Sequence, residues 1–451
     1  MTGTNDKAAV RRSLSAGILG VAILVAAAPA EAQEVLFSGG DVRASPLLPE
    51  SKGIKLGDGR LHPFIELDAH AIHNPGRFSS TIYDQSAALD GRRNDFYFVG
   101  RPGVDYKLPS PHLDLSATAY VERQQYVDND EFSSWQGGLG GNLHFNKNGP
   151  LQLRASERLT RIAAPGNQTF TQRFDHWTNS TGVGVDLEPG GGALKLSADM
   201  SMYFDWYDDD SQVPPEFLNN ERYTPTLRAA WSFLPKTQVF VETTTTFTNF
   251  RETQGAFANG DSWIYSASAG LNGVITPKIS ALLKVGYTGI TSDTVPALDP
   301  SKNTIGTQVE FTWNATATTK LRLGGMRTLE PIPIFVYATM WKAYTRFDQA
   351  IASRLNLSLG FEYYNFSYQR GAAATGGATD DGSDVREDNS IQTSLAIAYF
   401  VTEFITVSLV DRLDFRGTNY VYDQALAGEV FPAQSAGFFS NDLFVRFGVR
   451  Y

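Results

Sequence analysis

The chain has 451 residues, a formal net charge of −10, 29 phenylalanines, 19 tyrosines, 7 tryptophans and no cysteine. The missing cysteine excludes disulfides, thiolate chemistry, cysteine-ligated zinc and a lipid-modified cysteine anchor, and the acidic balance argues against nucleic acid as a partner. Past the N-terminus no run of 18 apolar residues occurs, which excludes membrane-spanning helices, whereas a β-barrel escapes that test because lumen-facing polar residues alternate with lipid-facing ones.

Lys7, Arg11 and Arg12 precede an apolar core from Leu14 to Ala28, and Ala30-Glu31-Ala32 follows as a small-x-small site. Residues 1–32 are therefore expected to be a secretory signal peptide, cleaved near Ala32. Its loss removes those three cations with Asp6 and Glu31, so the net charge moves from −10 to −11. Residues 33–60 carry Gly, Pro and Ser without a clear period and read as a periplasmic lead-in.

From Leu61 onward, amphipathic runs of roughly 11–15 residues are joined alternately by tight turns and long polar loops, the layout of an outer-membrane barrel. Tight turns are expected at Pro109–His112, Asn146–Pro150, Pro189–Gly192, Leu234–Lys236, Thr276–Lys278, Ala317–Lys320, Ala350–Ser353 and Val401–Glu403. Pro, Gly and Asn at several of them suit strand reversal. Long, mostly acidic connections include His73–Arg93, Ala163–Arg173, Asp208–Glu221, Glu252–Asp261, Ser292–Lys302, Gly371–Asp388 and Gly417–Phe439, with a brief one near Pro331–Pro333. The fold predicted for residues 61–451 is a closed, antiparallel, up-and-down all-β barrel of 18 strands, or 16 because Leu321–Phe347 is weakly punctuated.

The strands show their faces by period-two alternation. In Ala193–Tyr207, Leu194, Leu196, Ala198, Met200, Met202, Phe204 and Trp206 oppose Lys195, Ser197, Asp199, Ser201 and Asp205. In Leu151–Ile162 the apolar side is broken by Glu157. The final strand sets Leu443, Val445, Phe447, Val449 and Tyr451 on one face, an aromatic-terminated pattern resembling the signal read by the β-barrel assembly machinery. Strand parity assigns a lumen-facing set: Arg101, Asp105, Lys107, Asp114, Glu122, Arg154, Arg158, Lys195, Asp199, Asp205, Arg228, Lys284, Glu310, Arg322, Glu362, Arg412, Arg446 and Arg450. Rings of Arg and Lys in a pore favour anionic solutes. Alternatively, the two signs pair along the wall and satisfy one another.

Signs of catalysis are few. His70 and His73 have odd spacing on one strand and point to opposite faces, which is wrong for a shared metal. No Gly-x-Ser-x-Gly or His-Glu-x-x-His occurs. Asp208–Asp210 and the acids of Asp380–Asp384 lack calcium-loop spacing and read as solvated loops. No enzyme activity, metal or cofactor is expected. For an inward-folded constriction loop, Gly371–Asp388 is the best candidate in the sequence.

The opening Arg60-Leu-His-Pro-Phe-Ile-Glu-Leu67 and the tyrosine-rich runs Tyr120–Tyr126 and Phe361–Tyr368 resemble the outer-membrane β-barrel porin family associated with exopolysaccharide secretion clusters. The resemblance spans residues 61–451 and carries no residue-level site. It implies a non-enzymatic conduit for secreted polysaccharide in the outer membrane of a Gram-negative cell, working with a periplasmic polysaccharide-export protein. The rival readings are a general or anion-preferring diffusion porin for small solutes and a loop-plugged structural or adhesive surface barrel.

Overall fold

The computed structural model describes residues 51–77, 93–164, 174–190, 192–208, 219–251, 260–293, 301–332, 337–368, 386–419, 421–426, 429–435 and 437–451. A short strand β1 (Ile54–Leu56) turns back onto the start of β2 (Gly59–His73), which begins two residues before the expected Leu61. The following strands are β3 (Asn94–Leu108), β4 (Leu113–Tyr126), β5 (Ser134–Phe145), β6 (Leu151–Ala164), β7 (Phe174–Leu187), β8 (Leu194–Tyr207), β9 (Asn220–Leu234) and β10 (Thr237–Phe250). Next come β11 (Ser262–Thr276), β12 (Ile279–Ser292), β13 (Ser301–Asn314), β14 (Thr319–Pro331), β15 (Tyr337–Ile351), β16 (Leu355–Tyr368), β17 (Glu387–Phe400) and β18 (Ile405–Thr418). A small hairpin, β19 (Val421–Leu426) with β20 (Glu429–Ser435), lies in the last long connection before β21 (Phe438–Arg450).

Each long strand pairs antiparallel with its sequence neighbours, and β21 closes the sheet by pairing with β2 from Phe64↔Arg450 to His73↔Asn441. The result is a closed barrel of 18 long strands, not 16, because Leu321–Phe347 supplies full parts of both β14 and β15. Even strand number puts the start of β2 and the end of β21 at one end, with all the tight turns; the long connections emerge at the other. These are called the turn end and the loop end. Two tight turns are shifted from expectation, to residues 315–318 and 352–354. At Asn146 the turn needs a left-handed backbone (φ 56°), which asparagine adopts more readily than most residues.

One face of the sheet carries Leu67, Phe98, Leu139, Val183, Leu227, Val241, Val285, Ile305, Phe311, Leu359, Leu409 and Val445, all exposed. Trp135, Trp177, Trp263, Trp341 and Phe439 sit on that face near the loop end, and Phe145, Trp231, Trp313, Tyr399 and Tyr451 near the turn end. Two aromatic girdles around an apolar band are the outer surface of a membrane barrel. Glu157 lies within that band, where Thr181 donates to it at 2.6 Å and Asn179 donates as well, so its carboxylate is satisfied by the neighbouring strand. The opposite face is polar and crowded. There, side chains meet across an intervening strand, as on the concave side of a wall: Arg154 of β6 reaches Asp199 of β8 at 2.8 Å over Gly184 of β7.

Candidate functional site

Every residue of the predicted lumen set lies on this concave face. Arg101, Asp105 and Lys107 come from β3, Asp114 and Glu122 from β4, Arg154 and Arg158 from β6, and Lys195, Asp199 and Asp205 from β8. Arg228 on β9, Lys284 on β12, Glu310 on β13, Arg322 on β14, Glu362 on β16, Arg412 on β18, and Arg446 and Arg450 on β21 complete it. Leu443, Val445, Phe447, Val449 and Tyr451 lie on the outer face, where the Tyr451 ring stacks on Phe404 with centroids 5.6 Å apart.

The wall cations are mostly matched by acids. At the closing seam, Arg446 holds Asp68 through Nε and a second nitrogen at 2.8 and 2.6 Å, and reaches Glu66 at 3.4 Å. Glu66 also accepts from Arg101 at 3.2 Å, and Arg450 spans β2 to meet Asp105 at 2.7 Å. Arg101 lies over the Tyr120 ring, 3.9 Å from its centroid. Above these, His70 is stacked between Tyr97 and Phe444, and Asp442 takes hydrogen bonds from His70 Nδ1 at 2.8 Å and the Tyr97 hydroxyl at 3.0 Å. Such contacts join residues that are 378 positions apart in the chain, as Arg446 and Asp68 are. Around the wall, Arg154 and Lys195 share Asp186, Arg228 and Lys284 share Glu242, Arg322 meets Glu310, and Lys342 meets Glu362. Arg412 lies directly across from Asp442 of β21, with its guanidinium 5.1 Å from the Phe444 ring centroid.

Glu66, Asp68, Asp186, Glu242, Asp388 and Asp442 were not in the predicted set: Asp442 shares the parity of Arg446 and Arg450 on β21, and the other five lie on β2, β7, β10 and β17, from which the set took no residue. Including them replaces a basic wall with a nearly balanced one. Beside these ion pairs, β6 to β13 also carry inward hydroxyls. Thr160 and Thr178 are hydrogen-bonded at 2.6 Å, Thr224 and Thr246 at 3.1 Å, and Thr226 and Thr244 at 3.1 Å. Ser262, Thr248 and Thr288 continue this inward, uncharged hydroxyl surface.

At the loop end β14 parts from β13. Pairing of β13 with β14 stops at Thr307↔Arg327, while β14 stays paired with β15 up to Pro331↔Tyr337 and β15 with β16 up to Ala338↔Tyr368. Beyond Arg327 the end of β14 folds inward. Leu329, buried to 2% exposure, packs with Tyr337 on Ile290 and Ile264, which are lumen-face residues of β12 and β11. Ile332, Ala338 and Met340 pack against Tyr364, Phe366 and Tyr368 on the lumen face of β16. The inward element among the described residues is therefore the end of β14, from Leu329 to Ile332; of the loop expected to fold inward, Gly371–Asp388, all but the last three residues lie outside the described residues. The Asp209–Asp210 and Asp380–Asp384 stretches also lie outside them; Asp208 pairs with Arg161 at 2.8 Å. Among the described residues no group of three His, Asp or Glu side chains could hold a metal ion.

A closed barrel with a polar interior and an apolar, aromatic-girdled exterior is the frame of a pore in the outer membrane. The family described as "Putative beta-barrel porin 2" matches residues 50–427. The chain belongs to that family. As a porin fold it is an outer-membrane pore by architecture, and the family and fold are those of a channel. Among solved structures it is similar to OccK3 (OpdO) of Pseudomonas aeruginosa, at 10% identity and TM-score 0.43 over 86% of this chain and 96% of that one. It is similar to OccAB4 of Acinetobacter baumannii at 10% identity and TM-score 0.43, over 90% and 100% of the two chains. The siderophore receptor PirA of P. aeruginosa aligns at 9% identity and TM-score 0.43, over 89% of this porin and 81% of the receptor. No curated protein matches the porin's sequence.

Proposed function

We propose that this porin is a conduit for a hydrophilic saccharide chain, an exopolysaccharide leaving the cell. The observation that carries the reading is the pairing of a hydroxyl-lined wall on β6–β13 with a closing seam whose charges are already matched. Sugars exchange hydrogen bonds readily with threonine hydroxyls and with the outer lone pairs of an ion pair. A wall whose charges are matched offers many weak contacts and no single deep trap, which favours transit over retention. The resemblance to porins of exopolysaccharide clusters points the same way. In this reading residues 1–32 are removed on export, the turn end faces the periplasm, and a polysaccharide-export protein delivers the polymer there. The apolar outer face of β21 is the segment offered to the β-barrel assembly machinery.

The test is a clean deletion followed by measurement of cell-surface and periplasmic polysaccharide. Loss at the surface with retention inside is the expected result. Unchanged polysaccharide with altered uptake of small solutes overturns it in favour of a diffusion porin, a second reading favoured by the inward end of β14, which narrows the lumen.

A further inference from the structure

Glu330 stands apart from the other wall acids. It lies on the inward-bent end of β14, opposite Ala338 of β15, and on the other side of the hairpin from Leu329. Its side chain is 6% exposed, yet it has no hydrogen bond or ion pair among the described residues. Every comparably buried acid of the closing seam is held by an arginine or a histidine. Arg222 of β9, five strands away in the sheet, is the cation whose charge acts on Glu330, and the packing of Leu329 on β11 and β12 carries the end of β14 inward. Arg222 is itself committed: it donates to Asn220 at 3.1 Å, pairs with Asp205 at 3.7 Å and lies 4.6 Å from the Tyr203 ring centroid. The inward end of β14 thus holds a buried acid whose acting cation is already claimed by Asp205.

Burial pushes the pKa of the Glu330 carboxyl up to about 8, so near neutral pH it keeps its proton; a cationic donor at the carboxyl favours the ionised form and supplies the partner that a buried carboxylate lacks. We infer that Glu330 is a recognition point for a positively charged group on a passing solute, an ammonium or guanidinium, resting on the reading of this chain as an open pore. The pore then prefers neutral and cationic solutes, including sugars bearing free amino groups, and disfavours polyanions. That is opposite to the preference expected from its lumen arginines in the sequence.

Single-channel recordings of the full-length protein in planar bilayers test this, with spermidine as the organic cation. At pH 9, where Glu330 is ionised, the wild type is expected to be cation-selective in a KCl gradient and to show spermidine blocks. Glu330→Gln is expected to shorten those blocks about tenfold, as loss of one charge-assisted hydrogen bond predicts, and to lower cation selectivity. Equal block times in the two proteins overturn the inference while leaving the pore reading intact. A folded, heat-modifiable barrel that passes no current overturns the pore reading and this one with it. Because the chain has no cysteine, Glu330→Cys provides a second readout that does not depend on the glutamine variant folding. Reaction from the lumen with a cationic methanethiosulfonate, reducing current, is expected. No modification of that thiol in a conducting channel places residue 330 off the path and overturns the inference.

Discussion

Arg446 shows how a single side chain can secure the closure of the barrel. Among the described residues it is the one guanidinium that holds the buried Asp68, and it shares Glu66 with Arg101. Replacing it with alanine leaves two carboxylates, each exposed by no more than 2%, facing one another beside a vacancy. Removing one partner of a buried pair costs about 3–5 kcal/mol, so Arg446→Ala is expected to lower the urea midpoint of the detergent-folded barrel markedly. Arg412→Ala, taken from an exposed position over an aromatic ring, is expected to cost less than about 1 kcal/mol. Equal effects in the two variants would refute a special role for the seam. Which face Arg446, Arg101 and Arg154 occupy was legible in the sequence, because parity is a local property of a strand. Their partners were not, since pairing depends on register between strands whose residues are hundreds of positions apart.

The strands themselves are seated by glycine–aromatic pairs on the lumen face. Phe64 of β2 covers Gly103 of β3, where an added Cβ would lie 2.3 Å from the ring and 2.8 Å from the Ala119 carbonyl oxygen. Phe240 covers Gly270 and Tyr344 covers Gly324 in the same way. An aromatic ring over a strand glycine restores the packing that glycine lacks. Gly103→Val is expected to destabilise the barrel by about 1–3 kcal/mol through overpacking, and Phe64→Ala in the same chain to recover part of that loss. Failure of the second change to help would mean that the backbone contact, and not the ring, dominates. At this scale the turns were readable from Pro, Gly and Asn, and the strands from alternation. The inward end of β14 was not, because Leu329, Pro331 and Ile332 resemble any apolar strand end. What sets them apart is the loss of pairing with β13, which no local pattern records.

Over the whole molecule, closure through β2 and β21 leaves no free edge, and the 18 long strands form one cooperative sheet. Such a barrel is expected to run faster in unboiled than in boiled dodecyl sulfate samples. A single mobility under both conditions, from protein that is folded by circular dichroism, would contradict the closed architecture. Strand number and the shared end of both terminal strands were legible because hairpin connectivity forces them once alternation of short and long connections is counted. The charge balance of the interior was misjudged because only part of the acidic side of the wall had been assigned.

The departure of β14 from β13 also fixes a waterline. On the side facing β14, the backbone of Lys302–Gly306 finds no ladder partner among the described residues; Arg327 instead donates to the Ile305 carbonyl at 2.6 Å and to the Thr304 hydroxyl, with Trp341 5.2 Å away. Unpaired peptide groups are not tolerated in hydrocarbon, and a guanidinium beside tryptophan belongs at the headgroups. The acyl chains must therefore end on the turn side of Arg327. On this flank the barrel stands clear of the lipid from that residue outward, so that the inward end of β14 sits above the membrane and not within it.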